Sequence, residues 1–234
     1  MSAWGDALSN WWVEEIRSDP AYRDEVAPLL LEVLDPQPGE RYLDLGCGEG
    51  TGMRAVVAAG SRALGCDLSP RLATRAAAAG PVVVCRLPDL SWVREGALDG
   101  AYAVLVMEHL DALEPFFAGA AAAVRPGGRL AVVTNHPVLT APGSGPVVDP
   151  DDGEMLWRWG DYFSSGVTTE PAGAGEIDFH HRSLQDLLTT AAGTRWSLRT
   201  LIERPVGEER AAADPLLGAQ RRLPRLLGVG WRLV

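Results

Sequence analysis

The stretch YLDLGCGEG, residues 42–50, places three glycines at alternate positions directly after a short apolar run. Glycine tolerates backbone conformations with positive φ and allows close approach, so this spacing predicts a tight turn at the end of a strand. A bound phosphate, another ligand or a tightly packed helix would each require such a turn. The question for this chain is which of the three the glycines approach.

Strand and helix patterns alternate on both sides of this loop. Strands are predicted at 41–45, 62–68, 81–87, 100–107, 129–135, 196–205 and 224–234. Helices are predicted at 51–59, 70–79, 113–124 and 183–193. The first five strands are nearly continuous in apolar residues, which is typical of a parallel sheet covered on both faces by helices.

The chain divides into four predicted segments. These are an N-terminal helical cap at 1–37, a core at 38–135 that contains the glycine loop, an insertion at 136–181 and a C-terminal part of the core at 182–234. The insertion lacks clear strand–helix periodicity, and a long stretch of this kind in a compact domain is more often a lid or binding segment than a connector. We therefore expect the insertion to cover the substrate.

Charge and composition narrow the classes of partner. The net charge is −10, and no cluster of basic residues precedes RRLPR at 221–225, which disfavours nucleic acid as the main partner. No long apolar run or signal peptide is present, so we expect a cytoplasmic protein without a membrane partner. The three cysteines, Cys47, Cys66 and Cys85, lack metal-site spacing, and we predict no metal.

The loop and the strand that follows it restrict the ligand. A dinucleotide fingerprint would place its third glycine at position 51, which is threonine, and a chain without lysine cannot form a phosphate-binding P-loop. Asp67 ends the second predicted strand, 21 residues after Gly46, where a carboxylate reaches the two hydroxyls of a ribose. The alternative for Asp67 is a helix N-cap before SPRL, a role that Ser69 fits equally well. These features favour an adenosine-like ligand without a pyrophosphate.

Five successive motifs carry a family resemblance. YLDLGCGEG, GCDLSP, LPDLSW, AYAVLVMEHL and VRPGGRLAVVTNHP, within residues 38–137, resemble motifs of the class I methyltransferases that use S-adenosylmethionine. The later FHHRSLQDLLTTAAG is similar to members that act on quinones and natural products. The resemblance implies an α/β, Rossmann-like fold. It has a seven-stranded, mostly parallel sheet in the order 3-2-1-4-5-7-6, helices on both faces and an antiparallel last strand.

The resemblance also implies how S-adenosylmethionine is bound. The glycine loop would pass under the methionine moiety, Asp67 would hold the ribose hydroxyls, and Asp89 would accept a hydrogen bond from the adenine amino group. Leu68 and Leu90 would enclose the adenine ring. The predicted cofactor-binding residues are Gly46, Cys47, Gly48, Glu49, Gly50, Asp67, Leu68, Asp89, Leu90, Met107 and His109.

Methyl transfer requires an acceptor held against the methyl carbon, and a nearby base where the acceptor is protonated. His136 follows the fifth strand at the ligand-binding edge and is the first candidate for this base. His181 is the second candidate, although a role in fastening the insertion to the core is also consistent with its position. Aromatic residues of the cap and the insertion are predicted to cover the acceptor: Trp11, Trp12, Tyr22, Trp157 and Tyr162.

These observations favour a methyltransferase that acts on a small hydrophobic or aromatic metabolite, with O-methylation ahead of N- or C-methylation, as a monomer or homodimer. One alternative is methylation of a tRNA base or a protein side chain. The net charge of −10 argues against methylation of a tRNA base. The sequence MEHL after the fourth predicted strand also argues against it, because an Asn-Pro-Pro-Tyr-like signature would be expected there. Another alternative is a regulatory protein that binds the cofactor without catalysis, because cofactor binding and chemistry are separable.

Overall fold

A computed structural model of the chain describes residues 20–172 and 175–234. Its strands are β1 (Arg41–Leu45), β2 (Arg62–Asp67), β3 (Val82–Val84), β4 (Leu98–Val104), β5 (Val124–Asn135), β6 (Gly145–Val148), β7 (Met155–Arg158), β8 (Val167–Ala172), β9 (Gly175–His180), β10 (Trp196–Arg204) and β11 (Leu226–Leu233). Seven of them form one sheet in the order β10-β11-β5-β4-β1-β2-β3.

The strand directions agree with the predicted class of fold. β1 pairs in parallel with β2 and β4, β4 with β5, and β2 with β3, whereas β11 is antiparallel to both β5 and β10. Numbered as the seven predicted strands, this order is 3-2-1-4-5-7-6 with an antiparallel last strand. The predicted sheet is therefore confirmed.

Helices cover both faces of this sheet. They are α1 (Ala27–Leu34), α2 (Thr51–Ala58), α3 (Pro70–Ala76), α4 (Leu113–Ala123), α5 (Pro137–Thr140), α6 (Leu184–Gly193), α7 (Glu208–Ala213) and α8 (Pro215–Ala219), with a π-helical turn at Tyr22–Val26 and a 3₁₀ turn at Met107–His109. One buried cluster joins the sheet to α4 and α6, with Phe116, Phe117 and Trp231 among its large side chains. A second cluster joins the other face to α1, α2 and α3. Both faces are thus removed from water, as continuous apolar strands require.

Two strand boundaries differ from those predicted. β5 begins at Val124 rather than at the predicted residue 129, so the RPGG segment lies within the strand. Leu98 pairs with Val124 and Gly100 with Arg129, so the extra residues of β5 form a bulge, which glycine with positive φ accommodates. β3 is shorter than predicted, because the amide of Asp89 donates to the carbonyl of Arg86 in a turn soon after the strand ends.

The insertion contains regular structure that the sequence reading did not predict. β6 pairs with β7 and β8 with β9, each pair forming an antiparallel hairpin, and α5 precedes them. These strands have only four to six residues each and include proline and glycine, so their alternation was too short to recognise. The first predicted helix of the cap, with Trp11 and Trp12, lies outside the described residues. None of the described helices has the length and apolar content needed to span a membrane.

Candidate active site

A cavity of about 360 Å³ lies at the carboxyl ends of β1, β2 and β4. Ligands bind at this edge in open α/β sheets, because loops from several strands converge there. Residues on its walls include Tyr22, Gly46, Gly48, Asp67, Leu68, Leu105, Val106, His109, Ile177 and His180. The cavity therefore combines residues of the glycine loop with residues of the insertion.

The three glycines of the loop serve three different purposes. Gly46 has φ +82°, and a Cβ atom there would lie 2.6 Å from Cγ2 of Val106. Gly50 has φ +85°, and its Cβ would lie 2.9 Å from the Cα of Ala76, so this glycine allows α3 to pack closely. Gly48 has φ +52°, lines the cavity, and has open space where a Cβ would lie. Of the three, Gly48 leaves room for a ligand.

Asp67 connects the end of β2 to this loop. Its Oδ2 accepts a hydrogen bond from the amide of Gly48 and its Oδ1 from that of Ser69, each at 2.8 Å. Burial raises the pKa of the Asp67 carboxyl, and these amide donors oppose the shift. The N-cap of α3 is Ser69, whose hydroxyl accepts from the amide of Leu72, so the capping alternative for Asp67 is wrong.

Asp44 is a buried acid that the sequence reading did not select. It lies in β1, is 2% exposed, lines the cavity, and accepts a hydrogen bond from the backbone amide of Met53. Burial raises the pKa of its carboxyl to about 8. The available signal was an acid within an otherwise apolar strand. Burial of a carboxyl is energetically unfavourable, so its presence there indicates a candidate functional residue.

Leu105 follows β4 in an unusual backbone conformation. Its φ is +53°, which is rare for a residue with a branched side chain, and it lines the cavity. Such conformations concentrate at functional sites, where the surrounding structure holds them. This residue and Val106, which packs against Gly46, line the cavity beside the glycine loop.

Not all predicted cofactor residues reach the cavity. Cys47, Glu49 and Leu68 line it, together with the unpredicted residues Cys85, Arg86 and Leu87. Asp89 is exposed and accepts from the amide of Ser91, and Leu90 is buried in the core on the α4 face. Gly50 packs against α3, and Met107 is buried. The adenine contacts assigned to Asp89 and Leu90 remain predictions, and neither residue lines the cavity.

The two predicted catalytic histidines lie away from the cavity walls. His136 is 5% exposed; its Nε2 lies 2.8 Å from Oε1 of Glu203, and its Nδ1 accepts from the amide of Val138. Burial lowers the pKa of His136. The sequence placed this residue at the ligand edge, but its ring turns to β10 and to the start of α5. The structure gives no support to its role as a base.

His181 fastens the insertion to the rest of the protein. Its Nδ1 lies 3.1 Å from the hydroxyl of Thr140, and its Nε2 donates to the carbonyl of Tyr162 at 2.9 Å. The neighbouring Arg182 donates to the carbonyls of Met107 and Leu110. These contacts match the fastening role rather than the role of a base.

A different pair of histidines lines the cavity. Nδ1 of His109 lies 3.2 Å from the carbonyl oxygen of Asp178, and its ring lies 5.0 Å from that of Phe179. Nε2 of His180 lies 3.3 Å from Oδ1 of Asp111. His180 was not predicted, because the sequence analysis selected its neighbour His181.

The predicted substrate-binding aromatics have mixed positions. Tyr22 lines the cavity. Trp157 donates to the hydroxyl of Ser144, and the hydroxyl of Tyr162 accepts from the amide of Leu184, so both stabilise the insertion itself. The insertion instead reaches the cavity through β9, with Ile177, Asp178 and His180. Within residues 20–172 and 175–234, no group of three or more His, Cys, Asp or Glu side chains is arranged to hold a metal ion.

Comparisons with known proteins cover most of the chain. Residues 43–132 match the family described as a methyltransferase domain. An uncharacterised 37.1 kDa protein in transposon Tn4556 of Streptomyces fradiae is 29% identical over 212 residues, which is 87% of this chain. The chain spans only 57% of the length of that relative.

Solved structures share the fold over nearly the whole chain. An S-adenosylmethionine-dependent methyltransferase from Mesorhizobium loti has a TM-score of 0.76 and 27% identity, covering 89% of this chain and 99% of that one. A geranyl diphosphate C-methyltransferase from Streptomyces coelicolor, solved with Mg²⁺, geranyl diphosphate and S-adenosylhomocysteine, has a TM-score of 0.64 and 16% identity. This second match covers 97% of this chain and 84% of that chain.

The family match and the cavity share the same part of the chain. The glycine loop, Asp67 and His109 all lie within residues 43–132 and line the cavity. Fold, family match and site geometry therefore agree: residues 43–132 match a methyltransferase domain, and the sheet has the fold of the solved S-adenosylmethionine-dependent methyltransferases.

Proposed function

We propose that this protein transfers a methyl group from S-adenosylmethionine to a hydroxyl of a small, hydrophobic or aromatic metabolite. One observation carries the proposal: a single cavity is lined both by the glycine loop with Asp67 and by β9 of the insertion. A cofactor bound against the loop and an acceptor bound against β9 would share this cavity. Such positioning supplies much of the rate in a two-substrate transfer, up to about 7 to 11 kcal/mol in model reactions.

The residues around the loop fit the cofactor. Gly48 leaves open space, and the buried carboxylate of Asp67 lies at the cavity wall, where it would accept from ribose hydroxyls. Besides Asp44, which its raised pKa keeps protonated, the lining contains four acidic residues and one arginine, which suits a cationic ligand: Glu49, Asp67, Asp111 and Asp178, with Arg86. When bound, S-adenosylmethionine supplies a methyl group on a positively charged sulfur.

The remaining lining suits an apolar acceptor with one polar group. Tyr22, Val26 and Ile177 offer apolar surface, while His109 and His180 supply polar side chains. Ligand pockets with mainly apolar walls and few polar groups favour hydrophobic or aromatic molecules. A wall built by the insertion also excludes water, which strengthens the electrostatic interactions within the site.

Calorimetry with S-adenosylmethionine, S-adenosylhomocysteine and NAD tests the cofactor half of the proposal. We expect binding of the first two and none of NAD. The matched variants are Asp67→Asn, which removes the cavity carboxylate, and Asp151→Asn, which removes an exposed carboxylate of the insertion. Absence of binding by the unmodified protein would refute the proposal at its first step.

Transfer of a radiolabelled methyl group tests the acceptor half. The acceptors are a panel of phenols, catechols and hydroxyquinones, with bulk tRNA and mixed protein as competing classes. Labelling of tRNA or protein alone would favour a macromolecular substrate. Cofactor binding without transfer to any class would favour the regulatory alternative.

A further inference from the structure

The hydrogen bonds of the four histidines distinguish one of them. His136 and His181 each use both ring nitrogens in contacts within the protein. His109 is fixed through Nδ1 to the backbone of β9. In His180, Nε2 lies 3.3 Å from Oδ1 of Asp111 as an ion-pair contact, and within residues 20–172 and 175–234 neither ring nitrogen makes a hydrogen bond like those of the other histidines.

His180 also lies where an acceptor would bind. It is the last residue of β9, lines the cavity, and has a side chain that is 20% exposed. His109, which follows β4 at the mouth of the same cavity, is close enough to affect its titration. A ring nitrogen at this position is accessible to a ligand on the insertion side.

We propose that His180 is the general base for the acceptor hydroxyl and that Asp111 is a positioning residue that holds its ring. The inference rests on the proposed methyl transfer to a hydroxyl. The negative charge of Asp111 beside Nε2 favours the tautomer with the proton on Nε2, which leaves the lone pair on Nδ1. The same division of roles between the two ring nitrogens occurs in catalytic triads, where a carboxylate orients the histidine.

The step balances without a further reagent. The acceptor oxygen forms a bond to the methyl carbon as the carbon–sulfur bond breaks, with the electron pair of that bond remaining on sulfur. The hydroxyl proton passes to Nδ1 of His180 and then to solvent. The reaction therefore requires His180 to be neutral beforehand.

Surrounding charges keep the imidazole neutral at physiological pH. Burial lowers the pKa of His180 most, and Arg182 and His109 lower it further. Asp111 and Asp178 oppose this shift, but the side chain of Asp111 is 97% exposed, so solvent screens its charge. A bound cation in the cavity would add to the lowering. Turnover should accordingly rise with pH through a pKa below 6.5 and then level off.

The decisive variant is His180→Gln, because the glutamine amide nitrogen replaces Nε2 as donor to Asp111 while the base at Nδ1 is lost. With phenol as acceptor, turnover should fall about 10²- to 10⁴-fold and the acid limb of its pH profile should disappear. With 4-nitrophenol at pH 8, which is already ionised, the loss should be less than about tenfold. His136→Gln should retain the acid limb, as should His181→Gln.

A spectroscopic measurement of the His180 tautomer tests the proposal without requiring a known acceptor. Nitrogen-15 spectra of the S-adenosylhomocysteine complex should show His180 as the Nε2–H tautomer with a pKa below 6.5, and Asp111→Asn should lower that pKa. Protonation at Nδ1 would overturn the assignment. An equal loss of turnover with both phenols in His180→Gln would also overturn it, because it would indicate acceptor binding only. If the unmodified protein methylates no hydroxyl but shows the expected tautomer, the proposed function fails and the geometry of His180 stands.

Discussion

Replacing Asp44 by asparagine should change how stability depends on pH. The pKa of this carboxyl rises from 3.8 to about 8 in the folded protein because it is fully buried. A carboxyl with a raised folded pKa binds more protons in the folded state, so the free energy of unfolding falls as pH rises from about 4 to about 8. For one such group, each pH unit in this range lowers the free energy of unfolding by about 1.4 kcal/mol. Asp44 alone should therefore lower it by about 4 kcal/mol between pH 5 and pH 8.

Asparagine preserves the acceptor for the amide of Met53 and removes the ionisable group. The free energy of unfolding of the unmodified protein should therefore fall relative to that of Asp44→Asn as the pH rises. The difference between the two proteins should shift by about 4 kcal/mol in favour of the variant between pH 5 and pH 8. Urea unfolding followed by circular dichroism at pH 5, 6, 7 and 8 measures this difference. Subtracting the two curves cancels other groups, such as Asp67 with its raised pKa and His136 with its lowered pKa.

Asp151→Asn is the control, because it removes an exposed carboxyl and should leave the pH dependence unchanged. A difference between Asp44→Asn and the unmodified protein that stays constant from pH 5 to pH 8 would refute the reasoning. It would mean that Asp44 is already ionised throughout this range, and that water or another group solvates it. The predicted link between burial and protonation at this site would then be wrong.

Three further predictions concern the cavity and the insertion. Asp67→Asn should weaken S-adenosylhomocysteine binding by about 1.5 to 3 kcal/mol in calorimetry, because a charge-assisted acceptor becomes a neutral one; unchanged affinity would remove the ribose assignment. Cys85 lines the cavity, and a hydrogen bond with Cys66 lowers the pKa of its thiol, so iodoacetamide should label it at pH 7.5 and S-adenosylhomocysteine should protect it, as mass spectrometry would show. Buried Cys66 should stay unlabelled in the native protein, and labelling of Cys85 at the same rate with and without ligand would place the ligand elsewhere. Arg182→Gln should increase proteolysis within 141–180, because it removes the hydrogen bonds to Met107 and Leu110, whereas Arg199→Gln at an exposed position of β10 should have little effect.

The cofactor side of the fold was largely predictable because its signals are local. Alternating strands and helices define the sheet order once the family is known, and the glycine loop and Asp67 are adjacent in space because parallel strands end at one edge. Local signals failed where a residue's direction depends on distant packing. The chain turns after Arg86, and this turn leaves Asp89 exposed and places Leu90 in the core, which motif position alone could not show.

The acceptor side was less predictable because its insertion residues are positioned by the pairing of two short strands, β8 and β9. In β9, alternate residues face opposite sides, so a shift of one position in the register with β8 would exchange His180 with Phe179. The sequence offers two consecutive histidines, and only this register decides which one reaches the cavity and which one fastens the insertion through Thr140 and Tyr162. His181, whose two contacts hold the end of the insertion, thereby fixes the position of its neighbour. A substitution at His181 should consequently reduce catalysis by displacing His180, and it should do so without removing the acid limb that the base contributes to the pH profile.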